Sequence, residues 1–325
     1  MKKIFMVLMV GLLFMGCGKN IQKKTEFLMD TYVSIIIPGD KSMLVAMDKG
    51  FKRMEEVSIK FNVLNPKSPF YDFNMTGKPV EDPECVALVS TALKVAALSD
   101  GALDITVKPV VDLWGFYSPN PHVPDKAALK KALAKVGYKN LLIKNGKLIK
   151  LKEGVQIDLG AIAKGYAVGE AMKVLKAAGV KSALIDAGGD IYAIGKNGKD
   201  RWKIGIKNPR ADGLLGGMEI DPDITVATSG DYERFFEKDG IRYCHIFDPK
   251  TGYPAKSGTI SVSVITDDAT LADAWSTAFF VMGKDKTAAL VKKIGTVETI
   301  TVAENGTISY SPGLAGGIEN QEVKK

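Results

Sequence analysis

The chain is poor in the side chains that build zinc sites and disulfides: its 325 residues include three cysteines and two histidines. A structural zinc site is improbable with so few Cys and His ligands. Cys85 and Cys244 could pair in an oxidising compartment, or could remain two buried thiols. The sequence leaves both alternatives open.

The common nucleotide-binding motifs are also missing. Neither G-x-x-x-x-G-K-[ST] nor a G-x-G-x-x-G between a strand and a helix is present. Ser229-Gly230 follows a predicted strand without the flanks of a nucleophile elbow, so the sequence gives little support to serine hydrolase chemistry. Any nucleotide site must therefore be built without a P-loop or a Rossmann glycine motif.

No strong excess of charge of one sign is present. The 44 Lys and Arg residues stand against 37 Asp and Glu residues, for a formal net charge of +7. Such mild, dispersed basicity suits an anionic ligand or a membrane surface, and it gives no indication of a nucleic-acid partner. The 46% of hydrophobic residues is typical of a globular protein.

The N-terminus resembles the signal of a bacterial lipoprotein. Lys2 and Lys3 precede an apolar run over residues 4–14, which is too short to span a bilayer and ends at Gly16-Cys17. The resemblance implies cleavage before Cys17 and acylation of that cysteine. The protein would then be exported and lipid-anchored to a membrane, facing the periplasm or the cell exterior. The alternative is an ordinary signal peptide with an incidental Cys.

Hydrophobic periodicity predicts interspersed helices and strands. Short turns join many neighbouring strands, which favours an α+β fold: a two-lobed single unit with mixed, largely antiparallel sheets flanked by helices. The proline-rich residues 62–83 are predicted to be mostly loop. Predicted helices cover residues 41–59, 84–99, 125–136, 161–178, 269–282 and 284–294; predicted strands cover 27–37, 182–186, 191–195, 202–206, 224–228, 241–247 and 259–265, with a hairpin at Asn145-Gly146 and two short strands near the end.

Asp273 and Thr277 stand one turn apart on a predicted helix and therefore share a face. A carboxylate and a hydroxyl are hard oxygen ligands of the kind that Mg²⁺ takes, together with water and substrate phosphates. A local Asp–Thr hydrogen bond on a solvated face is the alternative. The apolar neighbours Ala278 and Phe279 favour a buried helix and hence the metal interpretation.

Two charged residues flank the start of the predicted helix 161–178. Asp158 precedes it and could be a simple N-terminal cap. Lys164 lies one turn in, where a cation opposes the helix dipole, and this small cost is reasonable if an anion binds there. A lysine that extends to solvent from a packed helix is an equally good interpretation of this stretch.

His245 lies in the segment Tyr243-Cys244-His245-Ile246-Phe247, on a predicted strand that ends in a tight turn. Histidine titrates near neutrality and is the most frequent general base, which a hydroxyl nucleophile requires. A hydrogen-bonded structural histidine is the alternative. The other histidine, His122, lies in a proline-rich predicted loop.

Taken together, these segments resemble the FAD:protein FMN transferase (ApbE) family over residues 27–283. The matching blocks occur in the family's order. They are Met29-Asp30-Thr31; residues 101–106 (GALDIT) and 112–116 (DLWGF); 157–167 (IDLGAIAKGYA); 186–191 (DAGGDI); 228–232 (TSGDY); 245–254 (HIFDPKTGYP); and Ala272-Asp273-Ala274 with Thr277.

The resemblance implies a Mg²⁺-dependent enzyme with FAD as substrate in the cleft between the lobes. Mg²⁺ would be held by the backbone oxygen of Ala161 with Asp273 and Thr277, and His245 would be the base. The implied FAD-lining residues are Met29, Ala102, Leu103, Asp104, Asp158, Lys164 and Phe247.

By the same resemblance the enzyme transfers FMN from FAD to a Thr or Ser of an exported or membrane flavoprotein with an FMN-binding domain, and releases AMP. Two alternatives remain: a Mg²⁺-dependent FAD pyrophosphatase that gives FMN and AMP, and a non-catalytic FAD-binding lipoprotein. The domains are then a signal peptide (residues 1–16), a tether (17–26), the transferase domain (27–310) and a frayed tail (311–325).

Overall fold

The computed structural model describes residues 20–314, so the signal peptide, Cys17 and most of the predicted tail lie outside the described residues. An eight-stranded sheet forms the centre, in the order β1-β2-β5-β6-β9-β12-β13-β14. Its strands are β1 (Ile21–Leu28), β2 (Thr31–Pro38), β5 (Ala183–Ala187), β6 (Asp190–Ile194), β9 (Ile224–Gly230), β12 (Thr259–Thr266), β13 (Glu298–Ala303) and β14 (Ile308–Tyr310).

Three two-stranded hairpins accompany this sheet. They are β3 (Leu141–Lys144) with β4 (Lys147–Lys150), β7 (Trp202–Lys207) with β8 (Leu214–Ile220), and β10 (Phe235–Lys238) with β11 (Ile241–Cys244). Every pairing between these strands and within the large sheet is antiparallel. The predicted α+β class with largely antiparallel sheet is confirmed, and the part of the chain that the structure describes adds no parallel pair.

Eight α-helices are present between residues 20 and 314. They are α1 (Met43–Phe61), α2 (Pro69–Thr76), α3 (Pro83–Leu98), α4 (Lys108–Trp114), α5 (Lys126–Leu133), α6 (Ala163–Ala177), α7 (Ala269–Met282) and α8 (Lys284–Ile294). None of the described helices is long and apolar enough to cross a membrane. The six predicted helices are confirmed, α7 and α8 with the predicted bounds and the other four with shifted ends, whereas α2 and α4 were not predicted.

The prediction for residues 17–26 is wrong in part, because residues 21–26 belong to β1 and not to a tether. β1 pairs with β2 through a two-residue turn at Met29-Asp30, whose φ angles of 52° and 59° are those of a tight hairpin turn. The single predicted strand over residues 27–37 is thus two strands. Sequence reasoning missed β1 because an edge strand keeps one exposed face and tolerates lysines there.

Residues 62–83 also differ from the prediction, since α2 lies within this proline-rich segment. Pro69 occupies the first turn, where its missing N–H costs nothing, and the Ser68 side chain caps the helix by accepting from the Phe70 N–H at 3.2 Å. Gly77 ends the helix in a left-handed conformation with φ 80°. The prolines were therefore start signals, and not only loop signals.

Two local predictions are confirmed in detail. Asp125 caps α5, since its Oδ1 accepts from the N–H groups of Ala127 at 2.8 Å and Ala128 at 3.1 Å. Asn145-Gly146 forms the turn of the β3–β4 hairpin. The strands β8 and β10 were missed because β8 contains Gly216-Gly217 and β10 is largely exposed.

The main apolar core lies between one face of the large sheet and the helices α1, α3, α6 and α7. The β7–β8 hairpin covers the other face through a separate cluster that includes Trp202, Ile204 and Met218. A third cluster around Trp114, Leu129 and Phe247 joins α4 and α5 to the β10–β11 segment. This third cluster is separate from the main core and contains Phe247, one of the predicted FAD residues.

Cys85 and Cys244 are both buried and unpaired. Burial raises the pKa of the Cys244 thiol to about 11, and it raises the pKa of Cys85 as well. The alternative of two buried thiols is therefore the one that the structure shows.

Candidate active site

Two hairpin turns meet at one end of the large sheet. Gly188 in the β5–β6 turn has φ 60°, and a Cβ atom there would lie 2.2 Å from Thr31 Oγ1 in β2. Only glycine permits this approach without movement of Thr31. The contact places Asp190, which begins β6, beside the hairpin whose turn carries Met29.

The helices α6 and α7 approach each other closely at Gly165. A Cβ atom at this position would lie 2.1 Å from the Ala269 carbonyl oxygen and 2.6 Å from the Cβ of Asp273. The absence of a side chain lets the Gly165 N–H donate a hydrogen bond to Asp273 Oδ2 at 2.8 Å. Asp273 is thereby fixed against the first turn of α6.

This hydrogen bond changes the start of α6. The Gly165 N–H, which in a regular helix would donate to the carbonyl four residues before it, donates to Asp273 instead. Among residues 20–314, no backbone N–H donates to the Ala161 oxygen. The carbonyl oxygen of Ala161 therefore has no backbone donor within that range and lies near the carboxylate of Asp273; its role as a metal ligand, which the family resemblance implies, stays a prediction.

Thr277 joins the same region from the next turn of α7. Its Oγ1 lies 3.3 Å from Ser229 Oγ in β9, and Ser229 Oγ lies 2.8 Å from Ser276 Oγ. Ser276 donates in turn to the Asp273 carbonyl at 2.8 Å. These contacts fix the hydroxyl of Thr277 on the side of the helix that carries Asp273.

Lys164 lies beside a second buried acid. Its Nζ atom is 3.4 Å from Oδ2 of Asp190, whose side chain is 4% exposed. Burial alone would lower the pKa of Lys164, but the carboxylates of Asp190 and Asp273 raise it overall, so the ammonium stays charged. The interpretation of Lys164 as a residue that extends to solvent is wrong.

The carboxyl of Asp273 is buried near another carboxyl. Burial, and then the charge of Asp190, raise the pKa of Asp273 to about 7. A divalent cation would offset this cost, and the three predicted ligand groups are oxygen donors of the type that Mg²⁺ binds. No group of three or more His, Cys, Asp or Glu side chains in the described part of the chain could hold a metal. The predicted ligand set of Ala161, Asp273 and Thr277 contains only one side chain of these four types. It therefore fits Mg²⁺, which takes its remaining ligands from water and phosphate.

His245 follows β11 and is held by the backbone of Arg234. The backbone N–H of His245 donates to the Arg234 carbonyl oxygen at 3.0 Å, and the imidazole Nδ1 lies 3.2 Å from the same oxygen. A carbonyl only accepts, so this contact places the proton on Nδ1 and leaves Nε2 as a free acceptor. Burial, with the charges of Arg234 and Lys164, lowers the pKa of His245 to about 4. The imidazole is therefore neutral at pH 7.

Asp104 and Asp158 each accept several hydrogen bonds that hold neighbouring loops in place. Asp104 accepts from Thr106 N at 2.8 Å, Thr106 Oγ1 at 2.6 Å and Tyr138 N at 2.7 Å. Asp158 accepts from Gly160 N at 2.8 Å and from the Tyr117 hydroxyl. Asp158 does not cap α6, whose N-cap is Ile162 without a side-chain hydrogen bond, so that alternative is wrong.

Three apolar residues of the predicted FAD set lie in different parts of the fold. Phe247 is buried against Trp114 and Phe116, with ring centroids 5.7 Å from each. Leu103 belongs to the main core, and Ala102 lines a cavity of ≈ 460 Å³ next to α8. Contact of these residues with FAD stays a prediction.

The structure brings Ala161, Lys164 and Asp273 together at the first turn of α6, with Thr277 one turn further along α7. The hydrogen bonds given above do not link Asp104, Asp158 and Phe247 to this group, and Phe247 belongs to the separate cluster around Trp114. His245 faces the group closely enough for the charge of Lys164 to act on it.

Sequence reasoning missed three residues of this site: Asp190, Tyr117 and Ser229. Asp190 lies in the matching block 186–191, but no role was predicted for it. It begins β6 directly after the Gly188-Gly189 turn. Tyr117 stood just beyond a matching block, and no pattern around it indicated that its hydroxyl would reach Asp158.

The arrangement combines a neutral histidine with a free Nε2, a charged lysine and a set of oxygen ligands for a cation. A base and a cationic surface are what phosphoryl transfer to a hydroxyl requires. Acyl transfer through a serine nucleophile is not favoured, because Ser229 Oγ contacts Ser276 and Thr277, and His245 Nδ1 contacts a backbone carbonyl.

Comparisons with known proteins agree on one family. The ApbE family matches residues 29–301. The FAD:protein FMN transferase of Treponema pallidum is 37% identical over 252 residues, which cover 72% of this chain and 70% of the relative. The FAD:protein FMN transferase of Vibrio cholerae is 34% identical over 265 residues, covering 79% and 78%.

Solved structures give the same result. The ApbE protein of Thermotoga maritima superposes with a TM-score of 0.86 at 37% identity, over 93% of this chain and 100% of that one. The flavin transferase ApbE of Vibrio cholerae superposes with a TM-score of 0.83 at 26% identity, again over 93% and 100%. The similarity therefore spans nearly all of the part of the chain described above.

Proposed function

The chain belongs to the ApbE family, and we propose that it is an FAD:protein FMN transferase that uses Mg²⁺. Its substrates are FAD and a Thr or Ser hydroxyl of an exported or membrane flavoprotein with an FMN-binding domain. The products are the flavinylated protein and AMP. FAD occupies the cleft between the two lobes, lined by the residues that the sequence assigns to it.

The observation that carries this proposal is the state of His245. The Arg234 carbonyl fixes the ring and its tautomer, so the unprotonated Nε2 is available to accept a proton. The acceptor hydroxyl loses its proton to Nε2 while its oxygen attacks the phosphorus on the FMN side. The bond from that phosphorus to the bridging oxygen breaks, and AMP leaves with this oxygen.

Lys164 supplies positive charge for the pyrophosphate. Its ammonium remains protonated in a largely buried position and is near enough to influence His245. An ammonium in such a position stabilises the negative charge that grows on the bridging oxygen more than it would in water.

The Ala161 carbonyl, the Asp273 carboxylate and the Thr277 hydroxyl would hold Mg²⁺. Two observations support this assignment: the carbonyl has no hydrogen-bond donor among the described residues, and the carboxylate is buried next to another acid. When bound, Mg²⁺ supplies further charge stabilisation for the leaving phosphate.

The test uses the chain without residues 1–16, incubated with FAD and Mg²⁺, with and without an exported flavoprotein fragment that contains an acceptor Thr or Ser. AMP formation together with covalent flavin fluorescence on the acceptor is expected. AMP with free FMN, in the presence or absence of acceptor, would instead establish a pyrophosphatase. Bound FAD without either product would leave a binding protein and contradict the proposal.

We further propose that the mature protein begins at an acylated Cys17 and is anchored to a membrane outside the cytoplasm. The support is the N-terminal sequence, with two lysines, a short apolar run and Gly16-Cys17. Mass spectrometry of the membrane fraction should find a lipid-modified N-terminal Cys17, and Cys17→Ser should release the protein from membranes. An unmodified Cys17 would contradict this proposal.

A further inference from the structure

Asp190 stands out among the buried side chains. Within residues 20–314, its Oδ2 is the one buried side-chain nitrogen or oxygen atom without a hydrogen-bond partner. The residue is 3% exposed, and neither the metal ligands nor the base described above require it. A buried carboxylate without a complete set of partners is costly, so its place in the site needs a reason.

The nearest cation is Lys164. Its Nζ lies 3.4 Å from Asp190 Oδ2, which is within ion-pair range but longer than a well-formed charge-assisted hydrogen bond. The charge of Asp273, which accepts from the N–H of the neighbouring Gly165, also acts on Lys164 and raises its pKa. Two acids therefore act on the ammonium, and one of them is a predicted metal ligand.

We propose that Asp190 is a positioning residue that holds the Lys164 ammonium away from Asp273, so that Asp273 stays open to a divalent cation. If Asp190 were neutral, Asp273 would be the remaining acid for Lys164. The lysine would then compete with the cation for Asp273. The proposal rests on the Mg²⁺ assignment of the proposed function.

The β5–β6 hairpin explains why an acid can be held there. Asp190 begins β6 opposite Ala187, at a turn fixed by Gly188 against Thr31. The side chain therefore has a defined place beside the first turn of α6. Asp186, in the same hairpin, accepts from the Gly189 N–H at 3.0 Å and has no ion pair with Lys164. Asp186→Asn is thus a matched control, since Asn can accept the same hydrogen bond.

The experiment measures the affinity of the protein for Mg²⁺ in the absence of FAD, from the rise in melting temperature as Mg²⁺ is added. The variants are Asp190→Asn, Lys164→Met, the double variant and Asp186→Asn. Loss of a group that orients metal ligands typically weakens affinity on the order of 10- to 100-fold, and we expect this for Asp190→Asn. Asp186→Asn should bind Mg²⁺ like the wild type.

The double variant tests whether Asp190 affects Mg²⁺ affinity through Lys164 or directly through its own negative charge. If Asp190 acts through Lys164, Asp190→Asn has no further effect in the Lys164→Met background. An equal loss of Mg²⁺ affinity in both backgrounds would overturn the proposal, as would unchanged affinity in Asp190→Asn. If Mg²⁺ does not raise the melting temperature of the wild type, the metal assignment fails, and this inference fails with it. That result is distinguishable from a failure of the inference alone, because it is seen in the wild type without any variant.

Discussion

The backbone N–H of Gly165 donates a hydrogen bond to Asp273 Oδ2 at 2.8 Å, across 108 positions of sequence. This single contact joins α6 to α7, fixes the carboxylate and frees the carbonyl of Ala161. Glycine is required for it, because any Cβ atom at residue 165 would overlap the carbonyl oxygen of Ala269. The proposed metal site and the packing of the two helices therefore depend on the same residue.

Gly165→Ala should destabilise the protein. The added methyl would lie 2.1 Å from Ala269 O, so α6 and α7 must move apart, at a cost of about 1–3 kcal/mol in the free energy of unfolding. Urea unfolding measures this change in the free energy of unfolding. Gly169→Ala, one turn along α6, is the matched control: its nearest contact would be 3.7 Å, and the exchange should gain up to about 1 kcal/mol from helix propensity. Equal effects of the two substitutions would contradict the close approach at Gly165.

Asp273→Ala should abolish Mg²⁺-dependent turnover of FAD while the protein remains folded. The substitution removes the one acidic side chain of the predicted ligand set. This side chain is buried, and the charge of Asp190 acts on it. AMP release as a function of Mg²⁺ concentration measures the effect, and circular dichroism checks the fold. Asp267→Ala removes an exposed carboxylate just before α7 and should leave the Mg²⁺ dependence unchanged. Full activity of Asp273→Ala would refute the metal assignment.

His245→Gln should slow FMN transfer by about 100- to 10,000-fold, the usual range for loss of a general base. Binding of FAD, followed by quenching of flavin fluorescence, should change little, because the base acts on the acceptor hydroxyl. The control is His122→Gln, which alters the exposed second histidine of the chain. Loss of FAD binding without a change in the transfer rate at saturating FAD would indicate a binding role for His245 instead.

The imidazole of His245 should titrate with a midpoint near pH 4, well below its ordinary value of 6.5. The folded state therefore favours the neutral ring, while the unfolded state takes up a proton near pH 6.5. Stability from this residue is complete above about pH 6.5 and is lost as the pH falls toward about 4. Below about 4 both states are protonated, and no further loss follows.

NMR of the chain labelled in its histidine rings can measure this midpoint. Only two imidazole signals are expected, and His122→Gln assigns them. A midpoint for His245 near its ordinary value would show that the ring is solvated, and the argument for a neutral base fixed by Arg234 would then fail.

Repeating patterns of a few residues were enough to predict most helices and strands. Asp125 caps its helix and Asn145-Gly146 turns its hairpin because both features depend on backbone geometry within three or four residues. Asp273 and Thr277 share a face of α7 for the same reason. The order of the matching blocks carried the family resemblance without any knowledge of the fold.

Edge and proline-rich segments were not predictable in this way. β1 exposes alternate residues and includes lysines, so its pattern resembles a polar tether until β2 pairs with it. The helix α2 begins at a proline that the sequence also offers as a loop signal. For β1, the strand that decides the structure, β2, lies outside the segment.

Local sequence patterns were sufficient for the secondary structure of the long periodic segments, for the common helix face of Asp273 and Thr277 and for the family. Four features emerged from the folded chain alone: Gly165 binds Asp273, Asp190 lies beside Lys164, Arg234 fixes the tautomer of His245 and the two inner cysteines stay unpaired. The physical reason is distance along the chain. Local patterns fix backbone angles within a turn or two, whereas these contacts depend on the order of strands in the sheet and on the packing of helices against it.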